Sequence, residues 1–249
     1  MNSNKNQIHD LAVSVSKNEL TAETFLKIEG VDIDAFVKKG MKEIQYLSKE
    51  KKKISKSNSN SKLFFKRVVL AAKIADELHN EPTFGHVKFQ KLVYLSEQIC
   101  SIDTEKRYVK QAAGPYDRRF MHSIDSALKK QKWFEVKKDN GKYTRYFYTP
   151  LENVQNYNKY YHSYFSSDSE KIDWLISSFK TSRTTTVELI ATLFSCWKEV
   201  LNSEEEFSEE LLIKTFYDWS KEKKKFDIKD VKNGIQWMKN KNLVPSLST

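Results

Sequence analysis

A run of polar and basic residues at helical spacing follows the turn at Gly114 and Pro115. Several members lie three or four positions apart, so a helix would place them on one face. Cations on a helix bind DNA phosphates, and arginine also binds guanine edges through two hydrogen bonds. The residues are Arg118, Arg119, His122, Ser126, Lys129 and Lys130. We interpret them as DNA-contacting; the alternatives are a solvated helix face and a protein-binding face.

Two further lysines lie in the segment FGHVKFQKLVYL (84–95). Its apolar spacing, with Phe89 and Leu92 directed inward, predicts a helix over 86–100. Lys88 and Lys91 are three residues apart and are expected on the outer side of that helix. There they would meet a phosphate or an acidic partner; otherwise they are ordinary surface lysines.

The segment 133–148 switches to the pattern of a β-hairpin. Asn140 and Gly141 separate two aromatic-rich runs, and this dipeptide favours a two-residue turn. Such a turn would pair Phe134 with Phe147 and Trp133 with Tyr148. The cations expected near the tip, as further DNA contacts, are Lys137, Lys138, Lys142 and Arg145.

Sequence patterns typical of enzymes do not occur. The five His and two Cys lack metal-ligand spacing, and there is neither a Gly-rich phosphate loop nor a Gly-x-Ser-x-Gly elbow. We therefore predict a protein that is not an enzyme and that uses no cofactor and no metal. A metal-dependent nuclease built on Asp103, Glu105, Asp117 and Asp125 is the less favoured alternative.

The elements that position these residues are mostly helices. Helices are predicted over 62–80 and 86–100, and a third begins after Gly114, which supplies a special backbone angle, with Pro115 in its first turn. Three helices followed by a hairpin are typical of a winged helix. We predict a mainly α protein: a winged-helix-like unit (three helices plus a β-hairpin) followed by a second helical module.

Charge and composition divide the chain into three predicted parts. Residues 1–61 hold a helix over 32–54 and a Ser/Asn linker over 55–61; residues 62–150 form the basic domain; residues 151–249 form a C-terminal helical domain. The net charge is +10, and 62–150 carries 18 Lys+Arg against 10 Asp+Glu. This concentration is typical of phosphate binding. The alternative is a soluble lysine-rich protein.

Composition also indicates the cellular compartment of the protein. The polar start of the chain shows no signal peptide, the two Cys indicate free thiols, and no apolar run reaches the ~20 residues that span a bilayer. We expect a cytoplasmic protein that does not bind membranes.

Four segments carry a resemblance to known proteins. FGHVKFQKLVYL (84–95) and AAGPYDRRF (112–120), with RYVKQ (107–111) and LKKQKWF (128–134), resemble a helical module associated with type I restriction-modification DNA-specificity subunits. A looser resemblance extends over 226–245. The residues 88–95 with the later Gly114 and Pro115 also resemble the Panacea antitoxin domain. The chain has no room for the two target-recognition domains of a complete specificity subunit, and the resemblance supplies no catalytic residues.

We therefore expect a non-enzymatic accessory module that binds duplex DNA in a restriction-modification or related phage-defence system. The resemblance implies restriction-modification subunits or a toxin as partners. The alternative is a protein-interaction module, antitoxin-like or an adaptor, that binds an acidic partner protein. The DNA sequence, the oligomeric state and the role of helix 32–54 are left open.

Overall fold

The computed structural model describes residues 32–104, 107–140 and 144–245. The chain divides into two compact units, Met1–Ser61 and Lys62–Thr249. Over the described residues the structure is mainly helical, with two small two-stranded sheets. In chain order the elements are α1 (Ile33–Leu78), α2 (His86–Ile99), β1 (Val109–Gln111), β2 (Gly114–Tyr116), α3 (Arg118–Lys130), β3 (Phe134–Asn140), β4 (Thr144–Pro150), α4 (Tyr157–Phe165), α5 (Ser169–Phe179), α6 (Thr184–Leu201), α7 (Glu209–Tyr217) and α8 (Ile228–Asn240).

The predicted linker over 55–61 is wrong, because α1 continues through it. Between 41 and 81 the chain contains neither glycine nor proline. Serine and asparagine in a helix cost only about 0.5 kcal/mol each relative to alanine, and neither breaks a helix outright as proline does. The helix begins after Asp32, whose carboxylate accepts a hydrogen bond from the Ala35 amide at 3.0 Å. It ends before Pro82, as the sequence predicts.

The core of the second unit is built around α2 and α6, which pack against each other. Helix α6 buries residues on nearly every side, including Leu193, Phe194 and Cys196. The sequence of this segment is apolar on two sides, which is typical of a central helix. Ser208 caps α7 by accepting a hydrogen bond from the Leu211 amide at 3.1 Å.

The predicted division at residue 150 does not correspond to a structural boundary, since residues 62–249 form one compact unit. Helix α5 packs on α2, and α6 packs on both α2 and β2. Elements from before and after residue 150 therefore share one hydrophobic core. The reason is that α2 is buried along most of its length and needs cover from both parts of the chain.

The hairpin β3–β4 forms, but its predicted register is wrong. Phe134 lies opposite Pro150, Lys137 opposite Phe147, and Asn140 opposite Thr144. Three residues, not two, therefore separate the paired ends. In this register Phe134 and Tyr148 are both directed into the core, which shows that burial outweighs the turn preference of Asn140 and Gly141.

In the part of the chain that the structure describes, the helices are too short or too polar to span a lipid bilayer.

Candidate nucleic-acid interface

Helix α3 is amphipathic, with Phe120, Met121, Ile124 and Leu128 buried. It begins at a side-chain cap: Asp117 Oδ1 accepts a hydrogen bond from the Phe120 amide at 3.0 Å. Such a cap contributes about 1 kcal/mol to a helix. The predicted helix is confirmed, and its starting residue is fixed by a carboxylate rather than by Pro115.

The capping carboxylate is held by a buried arginine. Arg67 Nη1 lies 2.7 Å from Asp117 Oδ2, and Arg67 Nε lies 2.6 Å from Glu97 Oε1. The Tyr108 hydroxyl donates to Glu97 Oε2 at 2.6 Å. The guanidinium also stands over the Phe120 ring, 4.0 Å from its centroid. Arg67 therefore links α1 and α2 to the first turn of α3.

Because its charged members are buried, this cluster is energetically costly to disrupt. Burial raises the pKa of Glu97, and the charge of Arg67 opposes that rise without cancelling it. Burial alone would lower the pKa of Arg67, but Glu97 raises it above the ordinary value. The charge of Arg67 would suggest a position outside the apolar stripe of its helix, but its side chain is fully buried. No local pattern signals this burial, because the two acids that hold Arg67 lie 30 and 50 residues further along the chain.

The opposite face of α3 carries the predicted contact residues, all of them exposed. They are Arg118, Arg119, His122, Ser126, Lys129 and Lys130. Within the described ranges, neither Arg118, Arg119 nor Lys130 has a carboxylate partner. Arg118 Nε lies 3.4 Å from His122 Nε2 on the next turn. The face therefore presents uncompensated positive charge to solvent.

The hairpin adds exposed cations next to this face. Lys137, Lys138 and Arg145 are exposed, whereas Lys142 lies outside the described residues. Glu135 on β3 joins the two elements: it pairs with Lys129 of α3 at 2.8 Å and with Lys137 at 3.2 Å. Hydrogen bonds from these lysines lower the pKa of Glu135. One carboxylate thus offsets part of the positive charge.

The prediction that Lys88 lies on an outer face is wrong. The side chain is 0% exposed, and its ammonium donates to the Thr83 hydroxyl at 2.9 Å, the Lys180 carbonyl at 2.8 Å and the Ser182 carbonyl at 2.9 Å. These three bonds satisfy all its donors. Burial lowers the pKa of Lys88 to about 8. Lys88 therefore joins segments of the fold and has no surface for DNA.

Lys91 is likewise buried, at 1% exposure, so its predicted role is also wrong. Its ammonium donates to the Pro115 carbonyl at 2.7 Å and to Gln90 Oε1 at 3.0 Å. Burial, with the nearby charge of Lys223, lowers the pKa of Lys91 to about 7. Helix α2 has no outer side at these positions, because α6 and β2 cover it. The spacing of charged residues in the sequence could not by itself show that Lys91 is buried.

Lys223 is a third buried lysine, in a segment whose sequence predicts a solvated helix end. Its ammonium lies 2.7 Å from Glu188 Oε1 on α6, and Lys225 pairs with the other oxygen at 2.9 Å. Burial raises the pKa of Glu188, but the hydrogen bonds from both lysines lower it more.

The turn before α3 contains Gly114 and Pro115, and the prediction is correct for Gly114 but not for Pro115. Gly114 has φ of +100°, and a Cβ there would lie 2.6 Å from Thr192 Oγ1. Only glycine fits that backbone and that space. Pro115 lies in β2 and not in the first turn of α3, which is a correction. Its carbonyl accepts the bond from Lys91, so it anchors the turn from inside.

The described residues contain no group of three or more His, Cys, Asp or Glu side chains arranged to hold a metal ion. Asp117, one of the residues considered for a nuclease, is committed to Arg67 and to the cap of α3. Glu105 lies outside the described part of the chain.

Comparison with known proteins adds no relative: no protein-family model matches the sequence, and no curated protein matches it.

Proposed function

We propose that the second unit binds duplex DNA through the exposed face of α3, with the hairpin β3–β4 beside it. The observation that carries this proposal is the pair Arg118 and Arg119, exposed without a carboxylate partner among the described residues. Arginine forms paired hydrogen bonds with phosphate and with guanine. The N-terminal end of α3 therefore carries the groups best suited to a base edge.

The order of elements supports the same proposal. In a winged helix the third helix enters the major groove and the hairpin contacts the backbone. Here α1, α2 and α3 precede β3–β4 in that order. The buried contacts of Arg67 with Asp117 and Phe120 fix α3 from behind. A recognition helix needs such support, because base contacts require a defined orientation.

The resemblance of 84–95 and 112–120 to a restriction-modification module suggests the setting. We propose that DNA binding here serves as an accessory activity beside a larger partner, in restriction-modification or related phage defence. No catalytic role is part of the proposal.

The direct test is a fluorescence anisotropy titration of a labelled 20-bp duplex at several salt concentrations. If about 4–6 phosphates are neutralised, the affinity falls with salt with a log–log slope of about −4 to −5. Arg118→Glu combined with Arg119→Glu should weaken binding about 100-fold at low salt. The matched control is Lys229→Glu with Lys232→Glu, two exposed cations on α8.

The control pair removes the same charge from another surface and should change affinity less than threefold. Equal losses in both variants would mean that net charge alone drives binding, which contradicts a site on α3. Absence of any duplex binding at low salt would end the proposal.

A second candidate function is protein binding by the first unit. Met41, Ile44 and Tyr46 on α1 are all exposed, although each has a large apolar side chain. An exposed apolar group of this kind is typical of a protein-binding surface, as expected of an antitoxin-like or adaptor module. Co-purification of a partner that is lost in Ile44→Lys would favour it. A chain that stays free of partners in its native host would count against it.

A further inference from the structure

The hairpin β3–β4 has one face in the core and one face in solvent. Alternate residues of a strand point to opposite faces. Tyr148 is buried, and its neighbour Phe147 is therefore directed outward, where it is 50% exposed. Among the described rings, none stacks on that of Phe147. An aromatic ring thus lies open on the solvent face of the hairpin.

The neighbours of this ring are cations. Lys137 lies directly opposite Phe147 across the two strands, and Arg145 precedes it by two residues on the same face. The same face also carries two carboxylates. Glu135 is engaged by Lys129 and Lys137, and Asp139 lies opposite Arg145. With Lys129 included, the surface keeps a positive excess around an exposed ring.

We infer that Phe147 stacks on an unpaired DNA base while Lys137 and Arg145 contact the adjoining phosphates. This inference rests on the proposed function and names its preferred ligand: a junction where duplex DNA meets a single strand. Inside a duplex the bases present only their edges, and opening a base step costs a few kcal/mol, so a ring on the hairpin stacks most readily on a base that has left the helix. Helix α3 would hold the duplex side and the hairpin the unpaired side.

A protein surface is the less favoured occupant. A protein-binding hot spot is typically a packed cluster of buried anchors. Phe147 is instead a single ring among charges, the arrangement that proteins use to bind single-stranded nucleic acid.

The test compares three labelled DNA probes: a blunt 20-bp duplex, the same duplex with a 10-nucleotide single-stranded extension, and the isolated strand. We expect the unaltered chain to bind the extended duplex about tenfold more tightly than the blunt one. Phe147→Ala should remove that preference and leave affinity for the blunt duplex within twofold. Tenfold corresponds to about 1.4 kcal/mol, within the 1–3 kcal/mol found per stacked base.

Three variants separate stacking from general contact. Phe147→Tyr retains a flat ring and should keep the preference. Phe147→Leu retains apolar volume without a π face and should lose it. Phe207→Ala changes another exposed phenylalanine and should have no effect on DNA binding.

A second measurement uses the unaltered protein and does not depend on how a variant folds. A 2-aminopurine placed at the first unpaired position should change its fluorescence on binding, and one placed inside the duplex should not. Equal affinity for blunt and extended duplexes, an unchanged 2-aminopurine signal, or Phe147→Leu equal to the native chain would each overturn the inference. So would a shift in oligomeric state in Phe147→Ala, which would assign the ring to protein contacts.

Failure of this inference is distinguishable from failure of the proposed function. If the blunt duplex still binds and depends on Arg118 and Arg119, the function stands and only the junction preference is lost. If none of the three probes binds, both the inference and the proposed function are wrong.

Discussion

The basic residues of 62–150 divide into two populations that the sequence does not distinguish. On α3, Arg118 and Arg119 are exposed and have no carboxylate partner in the described residues. On α1 and α2, Arg67, Lys88 and Lys91 are buried and bonded to carboxylates, carbonyls and side-chain oxygens. The first population is available to an anionic ligand, and the second holds the fold. The net positive charge of 62–150 therefore overestimates the number of cations that are available for binding.

The largest effect is expected at Arg67, the buried cation with two acidic partners. Arg67→Leu leaves Glu97 and Asp117 buried without a counter-charge and should lower the free energy of unfolding by about 3–5 kcal/mol. Urea denaturation measures this loss in the free energy of unfolding. Arg119→Leu, an exposed arginine, should change stability by less than about 0.5 kcal/mol. Similar losses in both variants would contradict the distinction between buried and exposed cations.

The second-largest effect is expected at Gly114, because it shapes the turn that Lys91 supports through the Pro115 carbonyl. Gly114→Ala places a Cβ in a backbone of φ +100° and against Thr192 Oγ1. We expect a loss of about 2–3 kcal/mol in stability. Adding Thr192→Ala should recover part of the loss, since it relieves the contact but not the backbone strain. A Gly114→Ala variant as stable as the native chain would show that the turn is not constrained in this way.

Lys91 allows a test by pH. Burial lowers its pKa to about 7, below the ordinary 10.5 expected in the unfolded chain. Between these values the unfolded chain binds more protons, so the Lys91 contribution to stability rises with pH from about 7 to 10. Lys91→Met should lack this rise, and the difference in unfolding free energy between native and variant chains should depend on pH.

The difference between the two chains is the quantity to measure, because burial also raises the pKa of both cysteines and of Tyr94, and the resulting pH dependence is common to both chains. Lys129→Met, at an exposed position, should show a difference independent of pH. A pH-independent difference for Lys91→Met would mean that its amine is not buried in solution.

The smallest effect is expected at Glu135, which pairs with Lys129 and Lys137 on the exposed side. Glu135→Gln removes one negative charge from the proposed interface and should strengthen duplex binding about two- to fivefold at low salt. Glu152→Gln, which removes the exposed partner of Lys132, is the matched control. Raising the salt should reduce the gain, since surface charges are screened. Unchanged or weaker binding in Glu135→Gln would contradict the placement of DNA at this face.

Much of the fold follows from local patterns. The stripe of α3, the central position of α6 and the cap at Ser208 were all predictable, because each depends on residues close in sequence. The exposure of the outer face of α3 follows from the helical spacing of its polar residues. Its role remains a prediction.

What failed depends on distant partners. The burial of Lys88 requires carbonyls at 180 and 182, and that of Lys91 requires the turn at Pro115. The hairpin register is set by burial of Tyr148 beneath Phe84 and Phe89, which overrides the Asn140-Gly141 signal. The continuity of α1 through 55–61 has a local cause instead: neither glycine nor proline occurs between 41 and 81, which the run of serine and asparagine obscures.

The bond from Lys88 to the carbonyls of Lys180 and Ser182 has a consequence for dissecting this protein. An ammonium near the start of the second unit depends on oxygens about 90 residues further along. A fragment that ends at residue 150 would lose both carbonyls and the helices α5 and α6 that pack on α2, so that apolar residues of α2 would be exposed to water. Separately produced halves should therefore be insoluble alone and recover a folded assembly only when expressed together.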